Sequence, residues 1–212
     1  MPLPVLVERG KNMRNPKPKE WLASELSQLY IADYKAYNFV DGEGVRNSLY
    51  VSGCPFACEG CFNAAAQNFH YGKPFTQEIE DQLIADTAHD YVQGITLLGG
   101  EPFLNTQVCL KVIDRMHAEF GDTKDIWSWS GYTFEELLLD SEDKLEMLSK
   151  IDILVDGRFD LSKKNLMLQF RGSSNQRIID VKKSLAQGRV VIWEKLHDSE
   201  KAFEQIKKSE LI

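Results

Sequence analysis

The sequence predicts an α/β fold, built around a mainly parallel sheet within one domain. Short apolar runs alternate with segments of helical periodicity about 10–15 residues long, which is typical of βαβ units. The length of 212 residues suits one domain with a sizeable core. No linker and no repeat of fixed period divides the chain, so a single domain is expected.

Two further segments are expected to flank the domain. Residues 1–20 contain four prolines and predict a poorly ordered lead-in. Met13 is a candidate start, which would make residues 1–12 an extension. Residues 21–197 are expected to form the folded domain, and residues 198–212 a charged helical tail.

The first elements expected are a short helix within residues 20–30 and an antiparallel hairpin. Residues 34–40 and 47–52 are rich in aromatic and β-branched residues, as strands are. Residues 41–45 join them, and their two glycines permit positive φ angles. A segment with three cysteines follows the second strand directly.

Strands and helices then alternate through the rest of the domain. Helices are expected at 76–91 and 107–120, and another begins at Thr133, because Thr133 and Glu136 have the spacing of a capping box. Strands are expected at 94–100, 125–131, 151–157, 166–170 and 190–196.

Charge and composition argue against nucleic-acid and membrane partners. The net charge is -7, and the largest basic clusters are the lysine pairs 182–183 and 207–208. No run approaches the roughly 20 apolar residues that span a bilayer. The N-terminal residues lack the basic flank and apolar stretch of a secretory signal. We therefore expect a cytoplasmic protein.

Cys54, Cys58 and Cys61 form a C-x3-C-x2-C segment, which indicates a metal site. Three thiolates would leave one iron of a [4Fe–4S] cluster open, as a catalytic centre requires. A zinc site with His70 or Cys109 as its fourth ligand remains an alternative. A catalytic thiol is a weaker alternative, because nothing in the sequence places a histidine beside any of the three cysteines.

Cys109 has a structural explanation of its own. With Val112, Ile113 and Met116 it follows the i, i+3, i+4, i+7 spacing of one helix face. A buried free cysteine behaves as a small hydrophobic residue, so we expect Cys109 in the core.

The cysteine segment resembles the signature of the radical S-adenosylmethionine superfamily, and Leu98–Pro102 resembles its GGEP motif. Phe39–Arg46 is similar to the D-G-x-G-x-R segment of glycyl-radical-enzyme activases. Gly60 stands where many superfamily members have an aromatic residue, and Phe62 follows the third cysteine instead. Three later segments resemble motifs of the activating proteins of anaerobic ribonucleotide reductases: Asp125–Tyr132, Asp152–Phe159 and Phe170–Arg177.

The resemblance implies a partial (β/α) barrel of the radical S-adenosylmethionine type. It implies that Cys54, Cys58 and Cys61 bind a [4Fe–4S] cluster, and it assigns no catalytic residue beyond the cluster and S-adenosylmethionine. The reaction implied is cleavage of S-adenosylmethionine to generate a glycyl radical on the anaerobic ribonucleoside-triphosphate reductase, with a flavodoxin-type electron donor. The cofactor contacts implied are Gly60, Cys61, Phe62, Gly99, Gly100, Glu101, Ser130 and Gly131.

Other assignments stay open in the sequence. Asp41 and Arg46 either position the substrate or the cluster loop, or are a turn aspartate and a solvated arginine. Asp156 and Arg158 receive no acid–base role, because radical cleavage needs none. Residues 173–176 either contact the reductase or form a polar loop. An activase of pyruvate formate-lyase, a deazaguanine synthase and a zinc-binding adaptor are the competing functions.

Overall fold

The computed structural model describes residues 15–197, whose strands form one open mixed sheet. Its order is β3-β1-β2-β4-β5-β6-β7. The strands are β1 (Tyr30–Asn38), β2 (Val45–Val51), β3 (Lys73–Pro74), β4 (Val92–Gly99), β5 (Asp125–Trp129), β6 (Ile153–Asp156) and β7 (Arg177–Asp180). The predicted tail and the first 14 residues of the predicted lead-in lie outside the described residues.

The centre of the sheet is parallel, which confirms the α/β prediction. The pairs β2–β4, β4–β5 and β5–β6 are parallel, whereas β1, β3 and β7 pair antiparallel with their neighbours. Within residues 15–197 the sheet does not close on itself, since β3 and β7 form its two edges. The helices are α1 (Ala23–Leu26), α2 (Gln77–Thr87), α3 (Thr106–Phe120), α4 (Phe134–Leu137), α5 (Glu142–Lys150) and α6 (Val181–Gln187).

Local sequence signals account for several of these elements. The hairpin of β1 and β2 forms as predicted, and so does the short helix α1. The capping box at α4 is present: the Thr133 hydroxyl accepts from the Glu136 N–H at 3.2 Å, and the Glu136 carboxylate accepts from the Thr133 N–H at 2.8 Å. None of the described helices is of the length and apolarity that a membrane crossing requires.

Two cores lie on opposite faces of the sheet. Neighbouring residues of β5 belong to different cores, Ile126 to the one that includes the helices and Trp127 to the other. Successive strand residues point to opposite faces, so the two cores are separated by the sheet. The second face is covered by loops: the rings of Phe170 and Trp193 contact the Trp127 ring at centroid distances of 5.6 and 5.1 Å.

This second core explains why the predicted strands at 166–170 and 190–196 are wrong. Both segments are loops, and only Ile192 forms an isolated bridge, with Ile179. Phe170, Trp193 and Leu196 cover the sheet face, and residues 191–193 add only two backbone hydrogen bonds to the edge of β7. The strand that does pair with β6 is β7, which the sequence prediction missed because its four residues follow directly on a polar segment.

Arg46 is fully buried, so its interpretation as a solvated arginine is wrong. Its guanidinium donates to Thr96 Oγ1 at 2.9 Å and to the Ile95 carbonyl at 2.6 Å. It also forms an ion pair with Asp125 at 2.5 Å and stacks over the Trp127 ring. One side chain of β2 thereby binds to β4 and β5.

Arg46 also determines where the turn at residues 41–45 lies. Gly42 has a φ of +134°, and a Cβ there would come within 2.9 Å of Arg46 Cδ. Thr96, which accepts from Arg46, donates its hydroxyl to the Asp41 carbonyl at 2.8 Å. The turn therefore folds back over the sheet, and the Asp41 carboxylate accepts from the Tyr50 hydroxyl at 2.6 Å.

Arg46→Ala should lower the free energy of unfolding by about 3 kcal/mol, because it leaves a largely buried carboxylate and three carbonyls without their donor. Urea unfolding followed by circular dichroism measures the loss. Lys150→Ala is the matched control, since Lys150 lies at the end of α5 and pairs with the exposed Asp114 and Glu146. The control should lose less than about 1 kcal/mol. Equal losses in the two variants would contradict this role of Arg46.

Candidate metal and cofactor site

A cavity of about 560 Å³ lies at the carboxyl ends of the four parallel strands. Loops that follow parallel strands meet at one edge of a sheet, which is where α/β proteins bind ligands. The predicted site residues that line the cavity are Cys54, Cys58, Cys61, Phe62, Gly99, Gly100, Glu101, Ser130 and Gly131. Gly60 is exposed and does not line it: its Cα faces Phe159 and Leu161.

The cysteine loop is held by backbone hydrogen bonds rather than by regular secondary structure. The Gly53 N–H donates to the Ala66 carbonyl at 2.7 Å, and the Cys54 N–H to the Gln67 carbonyl at 3.0 Å. Ala57 has a φ of +52°, a conformation that non-glycine residues adopt rarely. These contacts fold the loop so that all three thiols line one cavity.

The environment of the thiols suits a cationic metal group. Burial raises the pKa of Cys54, and the nearby Glu101 charge adds to the rise. Burial also raises the pKa of Cys58, with Cys61 as a further cause. Thiolates form in such a place when bound positive charge compensates for the burial. Three thiols around one cavity are a donor set that fits an iron–sulfur cluster.

Gly99 and Gly100 allow two backbone segments of the protein to lie close together. The Gly100 N–H donates to the Val51 carbonyl at 2.7 Å, and the Glu101 N–H to the Gly53 carbonyl at 2.8 Å. A Cβ at Gly100 would lie 2.6 Å from the Gly53 carbonyl oxygen, and one at Gly99 would lie 2.8 Å from that of Val51. These glycines therefore let the loop after β4 pack against the cysteine loop.

Glu101 binds the loop after β5. Its carboxylate accepts from the Gly131 N–H at 2.7 Å, the Ser130 hydroxyl at 2.9 Å and the Phe103 N–H at 3.1 Å. Burial raises the pKa of Glu101 to about 7, although these hydrogen bonds act in the opposite direction. Its carboxylate thus already has three donors within the protein.

Gly131 makes room for the aromatic side chain that anchors the cysteine loop. A Cβ at Gly131 would lie 2.5 Å from the Phe56 ring. The Phe56 ring is buried and packs edge-on against Trp21 and Tyr132, at centroid distances of 5.1 and 4.9 Å. Three of the predicted cofactor residues, Gly100, Glu101 and Gly131, therefore hold neighbouring loops together.

The rest of the cavity wall includes residues for which the sequence predicted no site role or left the role open. The turn at 41–45 brings Asp41 to the cavity, and Tyr50 lies one residue before the end of β2. Phe39–Arg46 and Phe170–Arg177, which resemble family motifs, supply part of this wall, so the resemblance was a sequence signal for it. Its members include Val40, Asp41, Tyr50, Trp129, Leu166, Leu168, Phe170, Arg171, Gly172 and Gln176.

The proposed fourth zinc ligands lie away from the cavity. Cys109 is fully buried on α3 in the larger core, as predicted, and His70 is exposed beside the Tyr30 ring. Among the residues that the structure describes, no three His, Cys, Asp or Glu side chains converge closely enough to hold one metal ion. An iron–sulfur cluster instead takes its thiolates on separate irons.

Comparison with known proteins identifies the family. The family described as "4Fe-4S single cluster domain" matches residues 40–179. An anaerobic ribonucleoside-triphosphate reductase-activating protein of Pasteurella multocida (strain Pm70) is 41% identical over 149 residues, which cover 68% of this chain and 93% of the relative. The chain belongs to the family of anaerobic ribonucleoside-triphosphate reductase-activating proteins.

Other activating proteins of this name are similar to the chain. The one from Escherichia coli (strain K12) is 40% identical over 147 residues, 68% of this chain and 93% of the relative. The one from Enterobacteria phage T4 is 38% identical over 145 residues, 66% of this chain and 87% of the relative. Membership of the activating-protein family confirms the predicted resemblance, and the matched domain favours an iron–sulfur centre over zinc.

Gly100→Ala should displace the cysteine loop, because the added Cβ would lie 2.6 Å from the Gly53 carbonyl oxygen. We expect a several-fold loss of iron after anaerobic reconstitution, measured per folded protein. Gly188→Ala, at the end of α6 with nothing within 4 Å of its Cβ, is the control. Its backbone strain should cost about 1 kcal/mol without loss of iron. Full iron content in Gly100→Ala would contradict the close backbone packing.

The metal-free protein should become less stable as the pH rises from about 4.5 to about 7, because native Glu101 binds its proton more tightly than the unfolded chain does. The contribution is fully present below the unfolded pKa and is lost as the pH rises through the folded pKa. Its size is about 3 kcal/mol. Urea unfolding over this range should show the slope in the wild type. A Glu101→Gln variant with the same slope would refute the assignment.

Proposed function

We propose that the chain is an activase that generates a glycyl radical on an anaerobic ribonucleoside-triphosphate reductase. The observation that carries this proposal is the single cavity lined by Cys54, Cys58, Cys61 and the Gly99–Glu101 loop. Membership of the activating-protein family supports the choice of client. When bound, a [4Fe–4S] cluster and S-adenosylmethionine would supply one-electron cleavage of the sulfonium and removal of a hydrogen from a glycine Cα.

The protein's own residues bind and orient these groups. Cys54, Cys58 and Cys61 would hold the cluster, and three thiolates would leave one iron available to S-adenosylmethionine. Gly99 and Gly100 border the methionine end, and the Glu101 carboxylate keeps the loop after β5 in place. The remaining cofactor contacts proposed are Phe62, Ser130, Gly131 and, from outside the cavity wall, Gly60.

A polypeptide substrate has to reach this cavity from the surface. Large apolar side chains near its mouth are exposed: Val40 by 73%, Phe62 by 60% and Leu166 by 74%. An apolar rim around a cavity favours a protein partner. Of residues 173–176, only Ser174 and Asn175 are exposed, so these two are the candidates for direct contact with the reductase.

Three further features belong to the same proposal on the basis of the family. They are a flavodoxin-type electron donor, the curvature of a partial (β/α) barrel, and a cytoplasmic location. The location is supported by the four free cysteines, because a reducing compartment keeps thiols available for metal.

The test is electron paramagnetic resonance of a reaction between the reduced, reconstituted protein, S-adenosylmethionine and the anaerobic reductase. We expect a glycyl radical signal on the reductase. Cys58→Ala should abolish it by removing a cluster ligand. Cys109→Ala should retain it, because Cys109 lies in the core.

Two results would overturn the proposal. A glycyl radical formed only on pyruvate formate-lyase would replace the client. About one zinc per chain, with no iron or sulfide after anaerobic purification, would favour a zinc-binding adaptor.

A further inference from the structure

The loop after β6, residues 157–160, packs along the cysteine loop. The Arg158 guanidinium lies 4.6 Å from the centroid of the Phe56 ring. The Phe159 ring contacts the Phe62 ring at 5.2 Å, and a Cβ at Gly60 would come within 3.5 Å of it. Contacts therefore reach the cysteine loop on both sides of Cys58.

Residues 173–176 hold this loop in place. Gln176 Nε2 donates to the Gly157 carbonyl at 3.0 Å, and Asn175 Nδ2 to the Arg158 carbonyl at 2.9 Å. The Asp160 N–H donates to Ser173 Oγ at 3.1 Å. Ser173 and Gln176 are buried, so their two bonds are largely shielded from water, whereas Asn175 is exposed. The polar residues of this segment thus position the loop that contacts the cysteines.

The charge of Arg158 is fixed beside the cysteines. Its guanidinium binds both oxygens of Glu136, at 3.0 and 3.1 Å, and its side chain is only 11% exposed. Glu136 is itself held by the capping box with Thr133. Phe56, whose ring the guanidinium contacts, lies between Cys54 and Cys58 in the cysteine loop. The positive charge is therefore held against the loop that presents the thiols, where it favours added negative charge.

We propose that Arg158 is a positioning residue that raises the reduction potential of the cluster held at Cys58. A reduced cluster carries one more negative charge than an oxidised one, so a nearby fixed cation favours reduction. Glu136 moderates the effect by neutralising part of the guanidinium charge. The inference rests on the proposed cluster, and it assigns the 173–176 segment an internal role beside any contact with a partner.

A purely structural role for the ion pair would predict a different result. If Arg158 and Glu136 only held the loop, removing either one would disturb the cluster in the same way. An electrostatic role predicts opposite effects, because one residue supplies the positive charge and the other offsets it. The sign of the change in potential therefore separates the two roles.

The experiment is a redox titration of the reconstituted protein, monitored by electron paramagnetic resonance in the absence of the reductase. At the wild-type midpoint, Arg158→Gln should lower the ratio of reduced to oxidised cluster by about tenfold, which corresponds to about 59 mV for one electron. Glu136→Gln should raise the ratio. Arg158→Lys should restore most of the wild-type value, because it keeps the charge. Arg115→Gln, which removes the same charge from α3 where it pairs with Glu80 and Asp81 of α2, should leave it unchanged.

Equal potentials in the wild type, Arg158→Gln and Glu136→Gln would overturn the inference, and so would shifts of the same sign in both variants. If Arg158→Gln binds no cluster, the reduction potentials of Glu136→Gln and Arg158→Lys still test the inference, because both variants keep a cation at this position. A wild-type protein without a cluster would overturn the proposed function itself. If the wild type binds a cluster and the variants have the same reduction potential as the wild type, only the role of Arg158 is overturned.

Discussion

The site depends on one close contact between two backbone segments, the cysteine loop and the loop after β4. The Glu101 N–H donates to the Gly53 carbonyl, and Gly100 fits between them because it has no Cβ. The loop after β5 then joins this pair through the Glu101 carboxylate. Because each loop is held by its neighbour, three thiols from an irregular segment can be presented to one cavity without a regular element beneath them.

The same arrangement explains why the motifs occur in series along the chain. Four of them lie at the ends of parallel strands, whose carboxyl ends meet at one edge, whereas Phe39–Arg46 and Phe170–Arg177 lead into β2 and β7. Several motif residues bind the next loop rather than face the cavity alone. Glu101 holds Ser130 and Gly131, and Gln176 holds Gly157. The motif residues therefore hold one another's loops in place as well as line a binding site.

The sequence predicted the central strands and most helices because their apolar patterns follow from burial against one another. It failed at 166–170 and 190–196, where apolar residues such as Phe170 and Trp193 cover a sheet face from loops. Local pattern does not distinguish these two uses of apolar residues. Arg46 illustrates the same limit, since its burial depends on acceptors in β4 and β5 that are distant in sequence.

The sequence alone determined the metal-binding residue types, the spacing of Cys54, Cys58 and Cys61, and the alternation that makes the centre of the sheet parallel. These properties are local, so they can be recognised in a single chain. The tertiary structure decided that Asp41, Tyr50 and Leu166 complete the cavity, that Gly100 and Glu101 support their neighbours, and that Arg158 stands beside the cysteine loop. Such contacts join residues far apart in sequence, and they arise only when the strands have brought their loops to one edge.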